Sequence, residues 1–101
     1  MSVVMTQEMQ GATRELIEQV TAELHFELYG KPEGLIVHTA SEIDGGIRIV
    51  DVWESAEAYA NFGEKRLQPA FETVAKANGL DLAQMPAMEP MVQEAFDIVL
   101  P

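Results

Sequence analysis

The stretch GLIVHTASEIDGGIRIVDVWE, residues 34–54, holds two runs rich in β-branched residues on either side of Asp44-Gly45-Gly46. Leu35-Ile36-Val37-His38-Thr39 and Ile47-Arg48-Ile49-Val50-Asp51-Val52-Trp53 suit a pleated, half-buried surface. Asp-Gly or Gly-Gly between such runs is a strong hairpin signal, because glycine supplies positive φ without a steric cost. A two-residue turn also fixes the pairing parity, whether Asp44-Gly45 or Gly45-Gly46 is central. One face then carries Leu35, Val37 and Thr39 with Arg48, Val50 and Val52. The other carries Ile36, His38 and Ala40 with Ile49, Asp51 and Trp53.

Upstream, Val3 to Met9 alternates loosely, Val3, Met5 and Met9 against Val4 and Thr6, as a strand does. Gly11 ends it, and Thr13 is placed to cap a helix. From Arg14 to Leu28, Leu16, Ile17, Val20, Leu24 and Leu28 recur at helical spacing, with Arg14, Glu15, Glu18 and Glu23 off that stripe. Tyr29-Gly30-Lys31-Pro32 stops this helix. Downstream, Ser55 caps a second helix with Glu57 in its first turn. Tyr59, Phe62, Leu67, Ala70, Phe71 and Val74 supply its apolar side. Gly63 and Pro69 are expected to bend or divide it, and Asn78-Gly79 ends it. Residues 80–90 form a connector with two prolines, where Met85, Met88 and the following Met91 make a soft apolar patch. Met91 to Leu100 is expected to be the fourth strand, with Val92, Phe96, Ile98 and Leu100 on one side.

The order is thus β-α-β-β-α-β, an arrangement in which both helices cover one side of the sheet. The aliphatic set around Val37, Val50 and Val52 suits packing under the helices. The set of Ile36, His38, Ile49, Asp51 and Trp53 would then lie on the bare side. A patch that apolar needs cover from a ligand or from a second copy of the chain.

Composition narrows the partners. The chain has 101 residues, 17 acidic against 6 basic side chains, and a net charge of -11. Such a charge repels phosphate backbones and anionic lipid, so neither nucleic acid nor a membrane is an expected partner. No cysteine is present, which removes disulfides and thiolate metal sites. No apolar run approaches the roughly 20 residues that cross a bilayer. By elimination the expected compartment is cytoplasmic, with residues 1–101 forming one domain.

His38 and Asp51 face each other if Asp44-Gly45 is the turn; under the other turn His38 faces Trp53. A carboxylate on one ring nitrogen orients an imidazole and leaves the other nitrogen for acid–base work. The same pair also reads as a plain cross-strand polar contact. Trp53 reads either as a platform for an aromatic ligand or as a packing residue, and Tyr59 and Phe62 as pocket wall or core. His25, near Glu18, Glu23 and Glu27, lacks a second histidine at ligand spacing, so no metal site is expected.

Pro32-Glu33-Gly34-Leu35-Ile36-Val37-His38, then Gly45 through Ser55, then Phe62 and Leu67-Gln68-Pro69-Ala70, resemble the dimeric α+β barrel superfamily. The chain looks closest to uncharacterised relatives of the antibiotic-biosynthesis monooxygenases. The resemblance implies an α+β, ferredoxin-like β-α-β-β-α-β fold with a four-stranded antiparallel sheet. It also implies a homodimer packed sheet face to sheet face and a pocket between sheet and helices. Trp53 matches a tryptophan at the end of the third strand in the monooxygenase and haem-degrading branches. The haem-ligating histidine of the latter has no counterpart in Ala60-Asn61-Phe62-Gly63, nor has their strand-one asparagine at Thr6-Gln7, so no cofactor is expected. The implied activity is a cofactor-independent monooxygenase-like reaction on a small aromatic molecule. His38 and Asp51 would be catalytic, and Trp53, Tyr59 and Phe62 would bind substrate. A non-catalytic small-molecule-binding or assembly module is the alternative.

Overall fold

A computed structural model describes residues 1–81 and 89–101. The elements are β1 (Val3–Gln10), α1 (Arg14–Leu24), α2 (Phe26–Tyr29), β2 (Leu35–Ile43), β3 (Gly46–Trp53), α3 (Ala56–Phe62), a π-helical turn (Gly63–Leu67), α4 (Gln68–Ala77) and β4 (Met91–Glu94). The strands make one antiparallel sheet in the order β2-β3-β1-β4. This is the ferredoxin-like topology expected from the sequence.

Ile43 pairs with Gly46, so the hairpin turns on Asp44-Gly45, with Gly45 in the left-handed region at φ 75°. His38 therefore sits opposite Asp51. Gly46 is a glycine for a different reason, since a Cβ there would run into the carbonyl oxygen of Met9 on β1. Near the hairpin's open end the register slips between Leu35 and Val37, leaving Ile36 as an extra residue in β2. Such a bulge reverses the alternation beyond it. Leu35 consequently shares a face with His38 rather than with Val37.

The two faces are assigned the opposite way round from the sequence expectation. Val3, Met5, Ile47, Ile49 and Trp53 are buried with Leu16, Val20 and Leu24 of α1 and Ala70 and Val74 of α4. The helices thus cover the face bearing Ile49, Asp51 and Trp53. Val4, Thr6, Val37, Thr39, Val50 and Val52 occupy the open face, where Val37 is 42% exposed. The reason is volume. The side beneath two helices takes the bulkier set, and Trp53, 1% exposed, is its largest fully buried side chain. Burying a side chain of that size contributes about 1.5–3 kcal/mol.

Helix boundaries follow local chemistry. Thr13 Oγ1 accepts from the Leu16 amide and Ser55 Oγ from the Ala58 amide, as N-caps do. The first helix is shorter than its periodicity suggests. His25 adopts φ 50°, ψ 56° and ends α1, and the one-turn α2 follows. That rotation packs Phe26 against the core and leaves Leu28 70% exposed. The second helix is divided where Gly63 and Pro69 lie. The Gln68 amide donates to the Gly63 carbonyl, an i to i−5 bond. Proline in an α-helix lacks a donor and its ring meets the carbonyl four residues earlier, a conflict that the wider turn before Pro69 relieves.

The last strand is also shorter than expected. β4 spans only Met91–Glu94, and Phe96, wholly exposed, lies beyond it in a chain with no regular structure. The ladder with β1 ends at Val3 opposite Glu94, so among the described residues the alternating Phe96, Ile98 and Leu100 have no strand to pair with. Met85 and Met88 of the expected methionine patch lie outside the described residues. No helix among the described residues is long and apolar enough to cross a membrane.

Candidate functional site

Asp51 lies on β3 among apolar neighbours and is 5% exposed. A buried carboxylate is costly unless its oxygens are bonded, and here each has a donor. His38 Nδ1, across the hairpin, is 2.6 Å from Oδ1, and Trp53 Nε1 donates to Oδ2 at 3.2 Å. Trp53 reaches back because residues two apart on a strand share a face. Sequence therefore places a donor on each side of one carboxylate, one across the ladder and one along it.

The consequence falls on His38. Its hydrogen bond to Asp51 raises its pKa above the ordinary 6.5; partial burial opposes the shift and the attraction of the carboxylate adds to it. With Nδ1–H donating to Asp51, a neutral ring carries its lone pair on Nε2. That nitrogen makes no protein hydrogen bond among the described residues, and the side chain is 45% exposed.

His38, Asp51, Trp53, Tyr59 and Phe62 all line one cavity of about 440 Å³ between sheet and helices. Its sheet wall includes Met5, Leu35 and Ile49, and its helical wall Phe26, Leu67 and Phe71. Tyr59 meets the Trp53 ring edge-on, centroids 5.7 Å apart, and Phe62 lies tilted against it at 5.5 Å. Burial raises the Tyr59 phenol above its usual 10, and the charge of Asp51 adds to this. No lysine or arginine lines the cavity among the described residues. Its volume falls in the range of drug-sized ligand pockets, about 300–1,000 Å³. Among the described residues no three His, Cys, Asp or Glu side chains gather to hold a metal ion.

The five residues singled out from the sequence are thus brought together. His25 is not; it sits outside the cavity, hydrogen-bonded through Nδ1 to Glu27 Oε1 at 3.1 Å. The Trp53–Asp51 bond escaped the sequence reading, although the spacing of the two residues carried it. Phe26 escaped too, since nothing in the periodicity of α1 announces the left-handed His25.

Fold and site together define a ferredoxin-like domain with a largely apolar pocket beneath its helices. Antibiotic-biosynthesis-monooxygenase-like proteins have this same fold. A variant of SnoaB, a cofactor-independent oxygenase from Streptomyces nogalater, is 16% identical with a TM-score of 0.62, covering 97% of this chain and 96% of that one. Rv0793 from Mycobacterium tuberculosis is 12% identical, with a TM-score of 0.62 over 99% and 100% of the two chains. A protein of Deinococcus radiodurans, provisionally assigned as an antibiotic biosynthesis monooxygenase, is 14% identical at TM-score 0.57, covering 100% and 98%. No family model matches the chain, and no curated protein does.

Proposed function

We propose that the cavity binds a neutral aromatic small molecule bearing an acidic ring hydroxyl, and that the chain promotes its reaction with dioxygen. The observation that carries this is the buried Asp51, both oxygens engaged, holding His38 at a largely apolar wall with Nε2 making no hydrogen bond among the described residues. A phenol seated against that wall can give its proton to Nε2. The resulting phenolate is the electron-rich form that reacts with oxygen. When a ring CH₂, the keto form of a ring CH, becomes C=O, the substrate supplies all four electrons. One oxygen atom stays in the carbonyl and the other leaves as water, so the balance needs no added reductant. Tyr59 and Phe62, backed by the buried Trp53, offer aromatic surface to a flat ring. Among the described residues the wall carries no lysine or arginine and is mostly apolar, which favours a neutral substrate over an anionic one. The likeness in fold to SnoaB supports the reading.

Oxygen uptake with a panel of hydroquinone-like substrates tests it. Turnover by the wild type that falls at least about 10²-fold in His38→Ala is expected for a general base. Binding without turnover would make the chain a ligand-binding module. Silence in both assays would overturn the proposal.

We also infer a homodimer through the open sheet face. Val4, Val37, Val50 and Val52, with Met91 at 59% exposure, form an apolar surface that a second copy would cover. Analytical ultracentrifugation showing only monomer at micromolar concentration would overturn it.

A further inference from the structure

The cavity wall has two unequal parts. The sheet side is held by strand pairing, but Phe26 and Pro32 come from the segment between α1 and β2. That segment contains three residues with positive φ, His25, Gly30 and Gly34. Its one helical turn, α2, has no buried residue, and Tyr29 is 71% exposed. Phe26 and the buried Pro32 pack inward, but residues 27–31 between them are all exposed and have little of their own to hold them in one position.

Arg66, on the π-helical turn, supplies the attachment. Its Nη2 donates to the Leu24 carbonyl at 3.3 Å and to the Gly30 carbonyl at 3.4 Å, with Nη1 3.5 Å from the latter. Leu24 is the last residue of α1 and Gly30 caps α2, so these belong to the carbonyls that helix ends leave over. Neither helix has a basic side chain in its own last turn. Arg66 brings that charge from another element, where the helix dipole favours it. Its guanidinium also lies 5.8 Å from the Phe26 ring centroid and 5.7 Å from that of Phe62. Both rings line the cavity. One planar cation therefore spaces the two aromatic walls and ties the loose segment to the second helix. Lysine cannot reproduce this, because an ammonium neither stacks flat nor donates as a fork.

We propose that Arg66 is a positioning residue that fixes the wall formed by residues 26–34 and so limits the size of ring system the cavity admits. The inference rests on the cavity being a ligand site, as proposed above. Arg66→Met keeps the aliphatic stem and removes both the donors and the charge. Two readouts test it: amide hydrogen exchange over the chain, and fluorescence titration with 1-naphthol, two fused rings, and 1-hydroxypyrene, four. In Arg66→Met, exchange over residues 26–34 is expected to rise about tenfold while β1 and β3 stay unchanged. The affinity ratio of the four-ring to the two-ring probe is expected to rise about tenfold. Arg66→Lys should resemble Arg66→Met, and Arg14→Met, at an exposed arginine outside the cavity, should keep the wild-type ratio. Unchanged exchange, or faster exchange with an unchanged ratio, overturns the role of Arg66 alone. Failure of the wild type to bind either probe overturns the ligand site, and this proposal with it.

Discussion

Replacing Asp51 with asparagine changes one oxygen for an amide group at nearly constant volume, and the surroundings dictate how the new side chain sits. The Trp53 indole can only donate, so it takes the asparagine oxygen. The amide NH₂ then faces His38 Nδ1, which must become the acceptor. The ring proton moves to Nε2, and the nitrogen available to a ligand turns from acceptor into donor. Hydrogen bonds to charged groups are worth about 1.5–3 kcal/mol and neutral ones about 0.5–1.5 kcal/mol. Changing both bonds, with the half-exposed His38 discounted for screening, costs about 1–2 kcal/mol. For a domain of this size that is a fall of roughly 4–16 °C in Tm. Loss of the base is expected to lower kcat by about 10²–10⁴-fold, far more than the stability change explains at a temperature where the variant is folded. The ring ¹⁵N shifts of His38 give the tautomer directly, Nδ1–H in the wild type and Nε2–H in the variant. Its pKa should fall, because the hydrogen bond that raises it is gone. An Asp51→Asn protein with the wild-type tautomer, or with undiminished activity, would refute the reasoning.

The pH dependence of stability and that of activity are expected to run in opposite directions. His38 has a raised pKa in the folded chain, so its bond to Asp51 contributes fully below about 6.5 and is weakened as pH rises through the folded value. Base catalysis appears over that same rise, and urea midpoints and rates measured side by side from pH 5.5 to 9 check both. Gly34→Ala should destabilise by about 1–3 kcal/mol, since Gly34 has φ 86° and its added Cβ would come within 2.6 Å of Ala58 Cβ. Adding Ala58→Gly should recover only the steric part, which denaturation of the double variant measures. Val52→Lys places a charge on the open face and should yield monomers in sedimentation velocity while 1-naphthol still binds. A dimer that persists in Val52→Lys argues against that face as the interface.

The hairpin and the two amphipathic helices were legible because their signals are local. Asp44-Gly45-Gly46 specifies a turn, and Leu16, Val20 and Leu24 specify a face, without reference to the rest of the chain. Parity could be read from the turn, but not which parity faces the helices. Both faces of the hairpin carry large apolar residues, and the polar Asp51 and His38 drew the reading toward the open side. Asp51 is tolerated beneath the helices because Trp53 and His38 satisfy it, a fact that belongs to three residues together. The bulge at Ile36 left no glycine or proline to mark it. Arg66 was silent for the opposite reason. Its partners are backbone carbonyls and ring faces in a segment more than thirty residues earlier, where no pattern of charges points to it.

The apolar positions of the second helix step from Phe62 to Leu67, five residues rather than three or four, and the π-helical turn is the structural counterpart of that step. A continuous α-helix advances about 100° per residue, which would set Val74 roughly 120° around the axis from Phe62. One surplus residue in the turn absorbs most of that difference, so the aromatic pair of Tyr59 and Phe62 and the small pair of Ala70 and Val74 can address the same sheet. The chain therefore contains a vernier. Deleting exposed Glu64 would remove the surplus residue and leave a continuous α-helix in which Tyr59 and Phe62 still face Trp53, whereas inserting one residue into the α-helical turns of α4 ahead of Ala70 would swing them about 100° away. Pocket and core share one helix, and the π-helical turn takes up the odd residue between them without changing the face either presents.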